Sequence, residues 1–413
     1  MGKIRERRRR EQKKRQLKTF AAGCGLTIVG LMLCFCLIRV LGSIEWTNLI
    51  ANAEEEQSES QIIEENTQEE EIITQIVMIG DMLMHSPVIE SGKQVDGSYN
   101  FNHLFSRVAE RISAADLAIV NQETIMGGPE FGYTGYPNFN TPYELADAEV
   151  AAGFDVLLFA TNHAYDKGEK GILNCINYME STYPEAGCLG INSSQEAQDN
   201  NMYVVKKNGM KIAILNYTYG YNGNGIPENK KYLLNEMNEE KIRLDIRKAE
   251  EIADFTILCP HWGTEFRLDV DDRQKELAAL FLEEGVDLVL GTHPHVIEPV
   301  EWLTHENGNK MLVYYSLGNF VSGTNSTGNG VTNRMLGGIA DVSLARNKDT
   351  NEVEIVSYDA IPVVCHIGEG TEYTIYYLEE YTEELAAQNK IVLQDPAFSK
   401  ELCESIVNQV WGE

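Results

Sequence analysis

The stretch VDLVLGTHPHVIEP, residues 286–299, runs from a short apolar segment directly into two histidines, His293 and His295, with Pro294 between them. Five apolar-rich residues bounded by glycine read as a buried strand, so the histidines stand at its carboxyl end. Two imidazoles around a proline suit one metal centre, because the ring restricts the conformations to be frozen and neutral imidazole is a common ligand. Taken alone, the pair reads equally as a surface turn with two incidental histidines. The rest of the chain decides, and it offers only eight histidines in 413 residues.

Other segments repeat the pattern. QIVMIGD (75–81), DLAIVNQE (116–123), DVLLFATNH (155–163), KIAILNYT (211–218), FTILCPHW (255–262) and KMLVYYSLGNF (310–320) read as strands. Amphipathic stretches of helical length lie between strands, at 101–115, 144–153, 168–180 and 272–285. Alternation of this kind predicts an α/β domain. Five of the strands end in metal-competent residues: Asp81, Glu123, Asn162 with His163, His261, and His293 with His295. Ligands of α/β sheets sit beyond the carboxyl ends of the strands, so these side chains should converge. Imidazole, carboxylate and amide oxygen together suit Mn, Fe or Zn rather than Mg or Ca, which predicts one or two divalent transition-metal ions. Gly80, Gly263 and Gly291 beside them would let the backbone turn and approach a ligand closely.

Several further residues are drawn in by position. Glu265 in HWGTEF is either a cleft carboxylate or a solvated loop residue, and Asn319 in SLGNF ends another strand. Trp262 is expected as a wall of the cleft, whereas His103, His305 and His366 read as ordinary surface or core histidines. The Gly/Asn/Tyr-rich loops 217–227 and 321–330 are expected to rim the cleft as mobile lids.

Charge is strongly segregated. Residues 1–18 carry ten Lys/Arg against two Glu, residues 19–38 carry no charge, and from Ile44 onward there are 61 acidic against 23 basic residues, a net −38. An apolar run of this length can span a bilayer, and the basic block before it predicts a cytoplasmic N-terminus and an extracellular body. A cleaved secretory signal is the competing reading, with ANA (51–53) as its cleavage site. The following Glu-rich segment reads as an extended stalk or a charged helix. The resulting division is a basic segment 1–18, a transmembrane anchor 19–41, an acidic stalk 42–74, a folded domain 75–365 and a C-terminal extension 366–413, irregular with terminal helices. So acidic a body argues against nucleic acid as a partner.

Cys175, Cys188, Cys259, Cys365 and Cys403 follow the apolar run with no C-x-x-C spacing, which excludes a zinc ribbon and a disulfide framework. They read as buried small hydrophobes, with a single Cys175–Cys188 disulfide as the open alternative.

GDMLMH (80–85), VNQET (120–124), FATNHAYDKGEKGI (159–172), HWGTEF (261–266), GTHPHVIEP (291–299) and YSLGNFV (315–321), in this order, resemble the CapA/PgsA family of capsule and poly-γ-glutamate biosynthesis proteins. The resemblance implies a calcineurin-like metallophosphoesterase fold, a four-layer sandwich of two mixed sheets flanked by helices, preceded by one N-terminal transmembrane helix. It assigns Asp81 and His295 to a first metal, Glu123 to the bridging position, and Asn162, His261 and His293 to a second metal. His163 becomes the residue that protonates a leaving group, with Asp166 orienting it. Three departures stand out: the usual D-x-H is absent, NQE replaces G-D-x-x-D, and TNHAYD replaces G-N-H-E/D. His85 follows Asp81 by four residues rather than two; His85, Glu265 and Asn319 are expected as substrate-binding residues.

Three functions compete. The resemblance favours a surface-anchored capsule protein that assists synthesis, export or anchoring of an anionic polymer such as poly-γ-glutamate, working with the polymer or its precursor, the membrane and capsule synthase membrane subunits. The second is an extracellular metal-dependent phosphoesterase or amide hydrolase. The third is a catalytically inactive binding module. A body this acidic repels a polyanion, so attraction must come from a local cationic site, which bound divalent metal would supply.

Overall fold

The computed structural model describes residues 72–223 and 225–412. The basic segment, the apolar run and the acidic segment up to residue 71 lie outside the described residues, and with them the anchor and stalk assignments. Among the described residues no helix is long and apolar enough to cross a membrane.

Among the described residues fourteen strands form two sheets: β1 (Ile73–Met82), β2 (Leu117–Asn121), β3 (Val156–Leu158), β4 (Gly187–Leu189), β5 (Tyr203–Lys207), β6 (Met210–Thr218), β7 (Phe255–His261), β8 (Leu288–Leu290), β9 (Val300–Thr304), β10 (Lys310–Tyr314), β11 (Asn319–Val321), β12 (Leu336–Arg346), β13 (Val353–Ile367) and β14 (Tyr373–Tyr377). The first sheet has the order β14-β13-β12-β1-β2-β3-β4, with β11 added to the end of β1, and the second has the order β5-β6-β7-β8-β10-β9. Both are mixed: β1, β2, β3 and β4 run parallel, as do β6, β7, β8 and β10, and antiparallel strands flank each set.

Side-chain alternation generates the layers. Ile76 and Met78 of β1 point between the sheets, where they meet Ile119, Leu158, Ile214, Ile257, Leu290 and Leu312. Val77 and Ile79 point the other way, into a core closed by Leu145, Ile172 and Ile176 of the helices Glu144–Ala152 and Gly168–Thr182. Across the second sheet, Leu215, Leu258 and Val313 face Ile242, Ile246, Leu277 and Phe281 of the helices Glu239–Ile252 and Asp272–Glu284. The result is helix, sheet, sheet, helix, as expected. Because both faces of the central strands are covered, they read as nearly continuous apolar runs.

The structure corrects several expected boundaries. The segment 310–320 is two strands in different sheets: β10 lies beside β8, and after a crossing at Tyr315–Gly318 the chain enters β11 beside β1. Gly318, at φ 62°, makes the turn, and a Cβ on Gly80 would stand 2.0 Å from the Gly318 carbonyl oxygen. The segment 101–115 is a 3-10 turn (Asn102–Phe105) followed by a short helix (Ala109–Ala114), so that Leu104, Phe105, Val108 and Ile112 can all reach the core. The segment after residue 365 is less irregular than expected. β13 continues to Ile367, β14 extends the first sheet, and the helix Lys400–Trp411 places the Trp411 ring against Gly338. Cys175 and Cys188 are free thiols, as are Cys259, Cys365 and Cys403.

Candidate metal centre

The carboxyl ends of β1, β2, β3, β7 and β8 meet at one edge of the sandwich. Asp81 is still within β1, whereas β2 stops at Asn121 and β3 at Leu158, so Glu123 and Asn162 sit on the turns that follow. His261 is the last residue of β7. The loop after β8 stays pinned to that strand end: Thr292 N donates to Pro260 O at 3.0 Å, and Trp262 N donates to Thr292 O at 3.0 Å. Gly291 is required here by packing, since a Cβ would lie 2.1 Å from Tyr315 O. The close approaches of Gly80 and Gly291 are thus to neighbouring backbone rather than to a ligand.

Glu123 is at the centre. Its Oε1 lies 3.5 Å from His295 Nε2 and 3.9 Å from His261 Nε2, and neither carboxylate oxygen has a hydrogen-bond partner although the side chain is fully buried. Two donor sets share it: Asp81, Glu123 and His295 on one side, Glu123, His261 and His293 on the other, with ligand atoms in each set within 4.8 Å of one another. Asn162 Oδ1 lies 2.9 Å from His261 Nε2, which puts the amide on the second side. His293 Nδ1 is likewise buried without a partner. A buried carboxylate and imidazole left unsatisfied are costly, and so many orphaned donors facing one another fit a divalent cation.

The surroundings orient these groups. Asn121 Nδ2 donates to Asp81 Oδ1 at 2.8 Å, and His295 Nδ1 lies 3.1 Å from both Asp81 Oδ2 and Asn319 Oδ1. Thr292 Oγ1 is 3.0 Å from His261 Nδ1, which leaves Nε2 for the centre. His163 Nδ1 is 2.8 Å from Asp166 Oδ2, an oxygen that also accepts from Phe139 N at 2.7 Å. His293 and His295 both hold positive φ, 103° and 59°, on either side of Pro294. Such backbone costs of order 1–3 kcal/mol per residue and is commonest at functional sites.

Charge and burial set the protonation states. Burial pushes the Glu123 carboxyl well above the usual range, and burial holds His261 and His293 well below theirs, with the neighbouring imidazoles adding to it. Burial also pulls on His295, but the Glu123 and Asp81 carboxylates outweigh it and raise this imidazole to about 9. His85 is lowered to about 4, by burial first and then by His295.

A cavity of about 450 Å³ opens beside the centre, and His85, His163, Glu265, His295 and Asn319 all line it. Glu265 is exposed at its lip and also lies within reach of His293 and His295. Of the two loops expected at the rim, 321–330 lines the cavity through Ser322, Thr324, Asn325 and Ser326, whereas 217–227 contributes no lining residue and reaches the centre through Tyr219, whose ring packs on His293 with centroids 4.5 Å apart. Trp262 is not a cleft wall. It is buried in the outer core of the second sheet, stacked on Phe281, with its indole N–H on Tyr315 O at 2.9 Å. His103, His305 and His366 lie away from the centre, with partners Ser91, Asn307 and Tyr381. Sequence reading overlooked Asn121, Thr292 and Arg334. Asn121 stands two residues before Glu123 and Thr292 directly before His293, so both could have been found as polar residues at strand ends, but Arg334 carries no local signal.

Residues 75–324 match the family model described as bacterial capsule synthesis protein PGA_cap. Two curated relatives agree. The capsule biosynthesis protein CapA of Bacillus anthracis is 27% identical over 255 residues, 60% of this chain and 59% of that protein. The PGA biosynthesis protein CapA of Bacillus subtilis is 34% identical over 170 residues, 41% of this chain and 42% of that protein. Among solved structures, the Haemophilus influenzae NAD nucleotidase aligns at a TM-score of 0.44 and 11% identity, over 82% of this chain and 63% of that one. The calcineurin-like phosphoesterase YfkN of Bacillus subtilis aligns at 0.39 and 13%, over 82% and 97%. With the family model covering more than half of its length, the chain belongs to the bacterial capsule synthesis protein PGA_cap family.

Proposed function

We propose that this is a membrane-anchored extracellular capsule-biosynthesis protein that assists synthesis, export or anchoring of an anionic polymer such as poly-γ-glutamate through a metal-binding cleft. The observation that carries the reading is Glu123, buried with both oxygens unpartnered between two sets of donors beside an open cavity. Asp81, Glu123 and His295 would hold one divalent ion, and Glu123, Asn162, His261 and His293 a second; Mn, Fe or Zn suits the donors. Such ions would add Lewis acidity and further positive charge to a cleft in a body of net charge −38. His85, Glu265 and Asn319 border the space where the polymer or its precursor would lie. Residues 1–18 and 19–41 would set the N-terminus in the cytoplasm, cross the membrane once and meet capsule synthase membrane subunits; nucleic acid has no part in the proposal.

The test compares binding of a γ-linked oligoglutamate to the full chain before and after chelation. Loss of binding with the metal supports the reading. Equal binding by metal-free protein refutes it.

Hydrolysis is the second reading, favoured by the His163–Asp166 pair at the cavity wall. Asp166 fixes Nδ1 of His163 and leaves Nε2 free to give a proton to a leaving group. His163→Ala should then keep its metal and lose turnover of phosphoester or γ-peptide substrates. Absence of turnover in the metal-loaded wild type would remove this reading and leave a binding module.

A further inference from the structure

The far wall of the same cavity carries a second, differently built feature. Arg334 is the one Lys or Arg among its lining residues. Its guanidinium carbon stands 3.6 Å from the centroid of the Phe266 ring, and its Nη1 donates to Ser326 Oγ at 2.9 Å and Thr324 Oγ1 at 3.4 Å. Nε is buried with no hydrogen-bond partner, and Arg334 makes no ion pair among the described residues. Glu265 is the carboxylate whose field reaches it.

This arginine is held in place from several directions. Its carbonyl accepts from Asn319 Nδ2 at 3.0 Å, and the same amide donates to His295 O at 3.1 Å, so one side chain ties Arg334 to the donor loop. The preceding turn is fastened by the C-terminal segment. Buried Asp395 accepts from Thr332 N at 3.1 Å and Thr332 Oγ1 at 2.6 Å, and Gln394 O accepts from Gly328 N at 2.9 Å.

A guanidinium stacked on an aromatic face, with Nη1 anchored by hydroxyls and Nε buried, leaves Nη2 as its accessible nitrogen, a charge-assisted donor for a carboxylate or phosphate oxygen. Because the side chain is already fixed, little ordering remains to oppose binding. We propose that Arg334, with Phe266 and Ser326, forms an oxyanion subsite that receives a carboxylate or phosphate group of the bound substrate and so sets which unit lies beside the Glu123 centre. The inference rests on the reading of this cleft as the polymer site. It goes beyond that reading in a residue that follows the family-matched stretch, which ends at 324.

Calorimetric titration of the metal-loaded full chain tests it, with a short γ-linked oligoglutamate and, separately, inorganic phosphate as probes. Arg334→Gln is expected to weaken at least one probe by about 10- to 100-fold, the scale of hydrogen bonds to a charged group. Arg334→Lys should recover only part of that loss, because an ammonium keeps the charge but not the planar stack on Phe266 that fixes the donor's direction. Ser326→Ala, which removes the shorter of the two hydroxyl contacts to Nη1 and leaves the arginine in place, should cause a smaller loss and guards against misfolding of the arginine variants. Loss confined to oligoglutamate identifies a carboxylate, and loss confined to phosphate identifies a phosphoryl group; either supports the subsite. Unchanged binding of both probes in Arg334→Gln overturns it, as does failure of the wild type to bind either. Binding that needs Arg334 in a chain that takes up no metal would refute the metal-cleft reading alone. Binding that needs metal but ignores Arg334 would refute the subsite alone.

Discussion

Asp81 Oδ2 stands 3.1 Å from His295 Nδ1, a contact between residues 214 positions apart that joins the end of β1 to the loop after β8. The first belongs to one sheet and the second follows a strand of the other, so the donor sets are assembled across the sandwich rather than on one element. Their composition can be tested by subtraction. Elemental analysis of the full chain should show metal that a His261→Ala, His293→Ala double variant loses in part, with Asp81→Asn removing the remainder. Complete loss on either substitution would mean a single shared ion. Equal content in all three proteins would disprove the centre.

Gly80 touches the crossing that carries β11. Its Cβ would meet Gly318 O at 2.0 Å, a backbone atom that cannot give way, whereas Gly220 has nothing within 4 Å. Gly80→Ala should therefore cost about 1–3 kcal/mol or more, the range of overpacked cores, and reduce metal content. Gly220→Ala should be near neutral. Matching urea midpoints for the two variants would contradict this account.

Glu298 is fully buried, its Oε2 accepts from Gln274 Nε2 at 2.6 Å and its Oε1 has no partner. Burial raises its carboxyl to about 8, although the Gln274 amide pulls in the opposite direction. Between about 4.5 and 8 the folded chain keeps a proton that the unfolded chain has released, so this group's contribution to stability falls as pH rises through that window. Glu298→Gln removes the titration. The variant should lose less stability than the wild type between pH 5 and pH 8, as read from urea midpoints, and parallel profiles would exclude Glu298 as a source (the window being on the order of three pH units).

Trp411 joins the C-terminal helix to the domain through its ring against Gly338 and its indole N–H on Glu298 O at 2.8 Å. Trp411→Ala should destabilise by about 2–3 kcal/mol, below the loss at a fully enclosed tryptophan because this one is half-buried. Metal content should be unchanged. A variant of wild-type stability would mean that the helix is dispensable.

How much of this was legible in the sequence depends on the distance over which each feature is encoded. The central strands were readable because both faces of Val77–Met78 or Leu288–Val289 are buried, which leaves long apolar runs. The convergent residues were readable because Asp81, His261 and His293 stand where those runs end. Strand termination was not: β3 stops at Leu158, four residues before Asn162, because the chain there turns toward Asn216 Oδ1, which accepts from Ala160 N at 2.8 Å. The split of 310–320 between two sheets was hidden for a similar reason, since its cause is the contact of Gly318 with Gly80, more than two hundred residues away. Arg334 was invisible because its partners Phe266 and Ser326 come from separate loops.

The crossing at Tyr315–Gly318 has a mechanical consequence. One short segment leaves the second sheet and enters the first beside Asp81, so the two halves of the donor cluster are stitched together by continuous chain. The halves cannot part like the jaws of a hinged clamp without tearing that stitch. Any ligand of the cleft would accordingly enter and leave past the loops at the rim, and a cation bound between the sheets would act as a rivet through the whole domain, its removal felt in global unfolding rather than in local loosening.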